Sequence, residues 1–194
     1  MERKIFIKTT TLALVVYPFL KISAMLNLHI NPEKYFFEKD GIIPNSRLPL
    51  LVYRNVFSER GQKGAIWLEN KFRENSWYNS WRWGIYFFHH YHSNTHEVLG
   101  VFQGWAEVHV GGSKGKKMRI KAGDIIVIPA GVGHKCLVCS EDFTVVGAYP
   151  EGKTPDLIKE ETVKYNSSIR NISKVSIPLK DPLLEYSGLV KIWR

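Results

Sequence analysis

Cysteine is scarce in this sequence, with two among its 194 residues. Cys136 and Cys139 lie in one short segment, so no second cysteine pair exists to complete a four-cysteine zinc site. The segment predicts a strand, in which residues three apart face opposite sides and have Cα atoms ~10 Å apart. That separation is too long for a disulfide. We therefore expect both cysteines to be packing residues.

Long apolar runs are also missing, because the run from Leu12 to Leu20 is broken by Pro18 and falls short of the ~20 residues of a membrane span. Residues 1–26 have a basic start, a short apolar stretch and a small-residue end at Ser23-Ala24, as signal peptides do. Alternatively, the natural start is Met25. Either way, we predict an N-terminal extension over 1–26 and a single domain over 27–194. The protein is expected in the cytoplasm, or exported if residues 1–24 act as a signal peptide.

Acidic residues are outnumbered, with 18 Asp and Glu against 27 Lys and Arg, which gives a formal net charge of +9. Such a balance can attract nucleic acid. The basic residues are nevertheless spread along the chain, and their one dense cluster, between Lys114 and Lys121, follows the Gly111-Gly112 turn. No nucleic-acid motif accompanies this cluster. We interpret it as a solvated hairpin tip and expect no nucleic-acid partner.

Helical periodicity is weak outside one segment, from Ser58 to Asn75, where an apolar stripe faces a charged side. After this segment the chain consists of short apolar runs about ten residues apart, separated by Gly-rich turns. One of these runs, from Gly84 to His92, is predicted to form a single strand. There is no internal repeat. The pattern is typical of one all-β sandwich or barrel.

Three histidines and one glutamate carry the chemistry of this sequence. His90 and His92 would face the same side of a strand, ~6.6 Å apart along the chain, and Glu97 follows a short turn. His134 arrives after the turn from Pro129 to Gly133. Imidazole nitrogen and carboxylate oxygen together suit Fe, Mn, Ni, Co or Zn. We therefore predict that His90, His92, Glu97 and His134 bind one divalent transition metal ion.

These residues resemble the two sequence motifs of the cupin family. The first motif, over 84–104, and the second, over 123–138, are matched at nine positions: Gly84, His90, His92, Glu97, Gly104, Gly123, Pro129, Gly131 and His134. One position departs, since Val138 stands where the pattern has Asn. Further runs, such as Thr95-His-Glu-Val-Leu-Gly and Val146-Gly-Ala-Tyr-Pro, resemble the uncharacterised YjlB-type single-domain cupins. The resemblance implies a double-stranded β-helix (jelly-roll) barrel, here with one preceding helix and a C-terminal extension.

The remaining histidines and aromatic residues receive secondary interpretations. By strand parity, His89 and His96 should face away from the ligands, which leaves His96 behind the site or on the surface. His109 and His29 belong to no motif. Tyr86 and Phe88 share the face of His90 and are candidate walls of a substrate pocket. The tryptophans are expected to cover the barrel mouth or a partner surface: Trp67, Trp77, Trp81 and Trp83.

Three classes of function fit these observations. The first is a metal-dependent enzyme, of oxygenase or isomerase type, that acts on a small organic molecule through open metal positions. The second is a non-catalytic cupin that binds or senses a small ligand, and the third is a structural or storage barrel without metal. The intact ligand set speaks against the third class. Cupins are commonly dimers, so a homodimer is a further expectation.

Overall fold

The computed structural model describes residues 30–160 and 165–194. Within them the chain forms strands and helices in this order: β1 (Glu33–Tyr35), β2 (Leu50–Tyr53), α1 (Gly61–Glu74), β3 (Trp77–Trp83), β4 (His90–Tyr91), β5 (Glu97–Gln103), β6 (Trp105–Val110), β7 (Lys116–Lys121), β8 (Ile125–Ile128), β9 (His134–Cys139), β10 (Thr144–Pro150), β11 (Ile158–Lys159), α2 (Tyr165–Ile172) and α3 (Leu189–Ile192). None of the described helices is both long and apolar enough to cross a membrane.

The strands form two antiparallel sheets. One has six strands in the order β1-β2-β8-β5-β10-β3, and the other has five in the order β11-β4-β9-β6-β7. Their facing sides share one apolar core, to which Leu99 and Ile126 contribute from the first sheet and Val108 and Ile120 from the second. The all-β prediction is thus confirmed. The prediction of a closed barrel is not confirmed, because the strands pair into two separate sheets within the described residues.

The six-stranded sheet is covered on its outer side as well. Leu68 and Phe72 of α1 pack there, together with Leu189 and Trp193 from the C-terminal segment. Burial on both faces explains why β8 is a continuous apolar run, Ile-Ile-Val-Ile, instead of an alternating one. Helix α1 lies so close to β5 that a Cβ on Gly100 would come within 2.5 Å of the Leu68 side chain.

Helix α1 begins at Gly61 and not at Ser58, because Arg60 is extended and Gly61 has a φ of +54°. The predicted single strand from Gly84 to His92 is wrong. β3 ends at Trp83, where its pairing with β10 stops, and β4 consists of two residues. Residues 84–89 leave the first sheet and cross to the second without strand pairing, and of their apolar side chains Ile85 is buried whereas Tyr86 and Phe87 are exposed.

The cysteines also depart from the prediction. A β-bulge in the β6–β9 ladder pairs Glu107 with Val138 but Val108 with Cys136, so one extra residue lies on β9. The bulge cancels the alternation that would separate the two thiols, and Cys136 and Cys139 both pack on the inner core. Burial, with Cys139 nearby, raises the pKa of the Cys136 thiol to about 12. Both cysteines are free thiols and packing residues, as expected.

Candidate metal centre

Three of the four predicted ligands lie on strands that meet at one end of the space between the sheets, and His92 directly follows β4. His90 opens β4 and pairs with His134, the first residue of β9. Glu97 opens β5 on the opposite sheet. The turn before His134 is held by a hydrogen bond from the Gly131 N–H to the His92 carbonyl, 2.8 Å long. The positive φ of Gly131, +90°, and its contact with the Asn45 backbone favour glycine there.

The three histidines form a compact, buried group. One nitrogen of each of His90, His92 and His134 lies within 4.8 Å of the others, a spacing at which all three can bind one ion. The carboxylate of Glu97 adjoins this group, because its Oε2 lies 3.5 Å from Nε2 of His92 and 3.3 Å from Nε2 of His134. The structure therefore brings all four predicted residues to one place.

Backbone carbonyls orient each imidazole in the same way. Nδ1 of His90 faces the Phe88 carbonyl at 3.3 Å, and Nδ1 of His134 faces the Val132 carbonyl at 3.2 Å. Nδ1 of His92 bonds the carbonyl of Asp156. A carbonyl can only accept, so each Nδ1 carries the proton and each Nε2 has a free lone pair. This is the arrangement that metal-binding histidines adopt in proteins.

The two oxygens of Glu97 have different environments. Oε1 accepts a hydrogen bond of 3.0 Å from the hydroxyl of Tyr149, which in turn accepts one of 2.9 Å from Nε1 of Trp81. Oε2 is buried and has no hydrogen-bond partner among the described residues. An unsatisfied buried carboxylate oxygen costs free energy unless a cation compensates it. The donor set thus fits a divalent transition metal, which Glu97 and the three histidines would hold.

The pKa values of the metal-free group follow from burial and mutual charge. Burial, aided by the neighbouring His134, lowers the pKa of His90 to about 2. Burial also disfavours the charged form of His92, but the Glu97 carboxylate outweighs it and raises the pKa of His92. Burial opposes ionisation of Glu97 too, yet His92 and His134 hold the pKa of that carboxyl well below its usual range. Glu97 is therefore ionised at neutral pH.

A cavity of about 280 Å³ opens onto the histidines. Its walls are mostly aromatic and aliphatic: Trp81, Trp83, Ile85, Tyr86, Leu99, Tyr149, Pro155 and Leu157. Tyr86 is one of these walls, half-exposed at 48%. Phe88 does not line the cavity but stacks on the Tyr86 ring, with centroids 4.7 Å apart. Contact of either residue with a substrate stays a prediction.

The other histidines lie away from the ligands, as strand parity indicates. His89 is buried and its Nε2 is 3.4 Å from Nδ1 of His109 on β6. His96 is not on the surface: it is 2% exposed, and its ring packs against Trp193. His29 lies outside the described residues. Among the tryptophans, Trp81 and Trp83 do line the mouth, whereas Trp77 is a core residue of the six-stranded sheet.

Sequence reasoning missed the residues that support the ligands. Tyr149 lies at the end of β10, within the Val146-Gly-Ala-Tyr-Pro run, but nothing in that run signals its bond to Glu97. Asp156 was not singled out either. Its carbonyl orients His92, while its carboxylate accepts bonds of 2.6 Å from the N–H and the hydroxyl of Ser93. Each of these partners is at least 52 positions along the chain from the residue that it holds. Local sequence patterns cannot show contacts of this kind.

Comparisons with known proteins identify the family of this chain. A family model described as "Cupin domain" matches residues 84–146, which include all four predicted ligands. The chain is 40% identical over 163 residues to the uncharacterised protein YjlB of Bacillus subtilis (strain 168), covering 83% of this chain and 96% of that protein. The chain belongs to the cupin family. Because YjlB is itself uncharacterised, this relative gives the cupin no activity.

Solved structures are more distant from this cupin. A double-stranded β-helix protein of unknown function from Klebsiella pneumoniae is 18% identical, with a TM-score of 0.32, over 68% of this chain and 81% of that one. Procruciferin, an 11S globulin from Brassica napus, is 21% identical with a TM-score of 0.36 over 50% of this chain. The cupin spans 27% of the procruciferin chain. Neither likeness bears on its function.

Proposed function

We propose that this cupin binds one divalent transition metal ion through His90, His92, Glu97 and His134. The observation that carries the proposal is the shared orientation of the three histidines, whose Nδ1 atoms all face carbonyls. Their other nitrogens are left free, and those of His92 and His134 lie beside the unpartnered Glu97 Oε2. Three neutral imidazoles and one carboxylate leave a net charge of +1 with a divalent ion. Four protein ligands fill at most four of six octahedral positions.

With that ion bound, the cupin is proposed to be a metal-dependent enzyme of oxygenase or isomerase type. A metal in such a site supplies Lewis acidity towards a substrate oxygen. The chain's own part is placement. Tyr149 keeps its proton, because burial and the Glu97 charge raise its pKa far above neutrality, and so it donates to Glu97 at any working pH. Ile85 and Leu99 keep the inner cavity apolar.

The walls also indicate which small molecules fit. Among the described residues that line the cavity there is no lysine or arginine, and Glu97 is the one acidic group. A multiply charged substrate, such as a sugar phosphate, would therefore lose its hydration without gaining a counter-charge from the walls. The cavity suits an uncharged, largely apolar molecule that carries one or two oxygen atoms towards the metal.

Metal binding is tested first, with Glu97→Gln and the matched change Glu107→Gln on β6. Glu97→Gln keeps the size of the side chain and its Oε1 but removes the charge at Oε2. We expect its affinity for Mn or Zn, measured by chelator competition, to fall at least about tenfold, whereas Glu107→Gln leaves the affinity unchanged. Equal affinities in the two variants would refute Glu97 as a ligand.

Catalysis is tested separately, by screening carbonyl, sugar and thiol compounds against forms reconstituted with Fe, Mn, Ni or Zn. Turnover of an apolar oxygen compound, reduced by Tyr86→Phe without loss of metal, would support the enzyme and the pocket together. Ligand binding without turnover in every reconstituted form would instead favour a sensing cupin, and it would leave the metal site standing.

A further inference from the structure

A second cavity, of about 290 Å³, is lined by residues of α2 and of the segments that contain Asn45 and His96. Helix α2 and the residues after it cover one wall with aliphatic side chains: Ile169, Ile172, Val175 and Ile177. The opposite wall includes His96 and Ala130, and the rim carries Lys39 and Arg47. This volume is close to the lower end of the range for small-molecule sites.

His96 has a fixed orientation in this wall. Its Nδ1 accepts a hydrogen bond of 2.9 Å from the backbone N–H of Ala130. The ring packs on Trp193, with centroids 4.8 Å apart. Trp193 is itself held by a bond from its Nε1 to the Pro49 carbonyl. Because Nδ1 must offer a lone pair to Ala130, the ring proton of neutral His96 is on Nε2.

Nε2 of His96 forms no hydrogen bond of ordinary geometry with any of the described residues. Although His96 is 2% exposed, Nε2 is one of the few buried polar atoms without a hydrogen-bond partner in the described residues. The Ser176 carbonyl approaches the ring but does not complete a hydrogen bond to Nε2. A buried donor left unsatisfied costs about 1–3 kcal/mol. Because His96 lines the cavity, an oxygen that entered beside its ring could accept from this buried donor.

The other uncharged polar side chains of the cavity already have partners, and the Ser46 hydroxyl among them accepts from the Leu48 N–H. Asn45 donates to the Glu38 and Gly111 carbonyls, and the Ser173 hydroxyl donates to the Arg170 carbonyl. The two cationic side chains that line the cavity are not paired in this way. Lys39 and Arg47 form no ion pair with another described residue, so their charges favour an anion near the cavity.

We propose that this second cavity binds a small aliphatic monocarboxylate, with one carboxylate oxygen accepting from His96 Nε2 and the aliphatic chain packed on α2. The apolar wall accounts for the chain, the unsatisfied donor for the oxygen, and the rim cations for the negative charge. The site is separate from the metal centre, since its lining shares no residue with the metal cavity.

Hexanoate is the probe for this site, compared with 1-hexanol and hexylamine by calorimetry on the full-length protein. Each titration is run on the metal-loaded protein and after EDTA treatment, with circular dichroism to confirm the fold, because a carboxylate could also bind the metal. We expect hexanoate to bind in both states, more tightly than hexanol, and hexylamine not to bind. Binding that disappears with the metal would overturn the proposal, as would equal affinity for the three probes.

His96→Phe removes the donor, and His109→Phe is the control, because His109 lies outside both cavities. Loss of a hydrogen bond to a charged group should weaken hexanoate binding about tenfold or more in the His96 variant alone. In the unmutated protein, the ¹⁵N resonance of His96 Nε2 should also shift on hexanoate addition, which tests the contact if His96→Phe does not fold. A bond from Nε2 to Ser176 that hexanoate leaves unchanged would refute the site.

Discussion

Tyr149→Phe tests whether the hydroxyl of Tyr149 positions Glu97 for metal binding, without changing Glu97 itself. The substitution keeps the ring, which lines the metal cavity, and removes the hydroxyl that donates to Glu97 Oε1 at 3.0 Å. It also leaves Nε1 of Trp81 without its acceptor. The carboxylate would then be free to rotate away from the position in which Oε2 faces His92 and His134.

The expected cost follows from the role of such partners. Loss of a hydrogen-bonded residue behind a metal ligand weakens metal binding by about 10- to 100-fold, or about 1.4 to 2.7 kcal/mol. We expect this loss for Tyr149→Phe, measured by chelator competition with Zn or Mn at fixed pH. The orientation of Trp81 would loosen as well, although its ring stays confined by Gly147, where a Cβ would come within 2.2 Å of it.

Tyr78→Phe is the matched control for this experiment. Tyr78 pairs with Tyr149 across the β3–β10 ladder, but it is 41% exposed and has no contact with the ligands. Its substitution should leave metal affinity unchanged. If Tyr149→Phe binds metal as tightly as Tyr78→Phe, the hydroxyl does not position Glu97, and our account of the support would be refuted.

Three further predictions concern stability, pH and the chain start. Asp181→Ala should lower the free energy of unfolding by about 3 kcal/mol or more in urea titrations, because buried Asp181 accepts from three backbone N–H groups and from Tyr53; exposed Asp142→Ala should change it by under about 0.5 kcal/mol. Metal affinity should fall about tenfold per pH unit below the raised pKa of His92, since a proton then competes with the ion, and a flat pH profile would contradict this. A chain that starts at Asn27 should melt and bind metal like the full chain; a large drop in melting temperature would show that residues 1–26 stabilise the domain.

The sequence was sufficient to predict that the four residues of the proposed metal site lie together, because the information that places them is local. His90 and His92 share a face through a two-residue spacing, and the Pro- and Gly-containing turn before His134 delivers the last histidine to the same end of the sheets. Alternation is likewise a local signal, as in the strand Trp105–Val110, in which every second side chain is buried. Such features depend on backbone geometry alone.

The structural predictions that were wrong, or that the sequence could not make, share a different cause. In each case contacts between distant segments override the local pattern. Residues 84–89 do not pair as the chain crosses between the sheets, and their apolar side chains Ile85 and Tyr86 line the metal cavity instead. Cys136 and Cys139 share the inner side because a bulge inserts one residue, and no sequence pattern announces that bulge. The bond between Tyr149 and Glu97 and the second cavity beside His96 both depend on segments distant in the sequence.

The metal content of the purified protein tests the central claim most directly. The protein is expressed with Mn, Fe, Ni and Zn available and purified without added ions, and elemental analysis then measures metal per chain. We predict close to one transition metal ion per chain in the unmutated protein and in His109→Ala, and a severe loss in His134→Ala, which lacks one of the three histidine ligands. A metal-free unmutated protein, or equal metal content in the two variants, would contradict the proposed site.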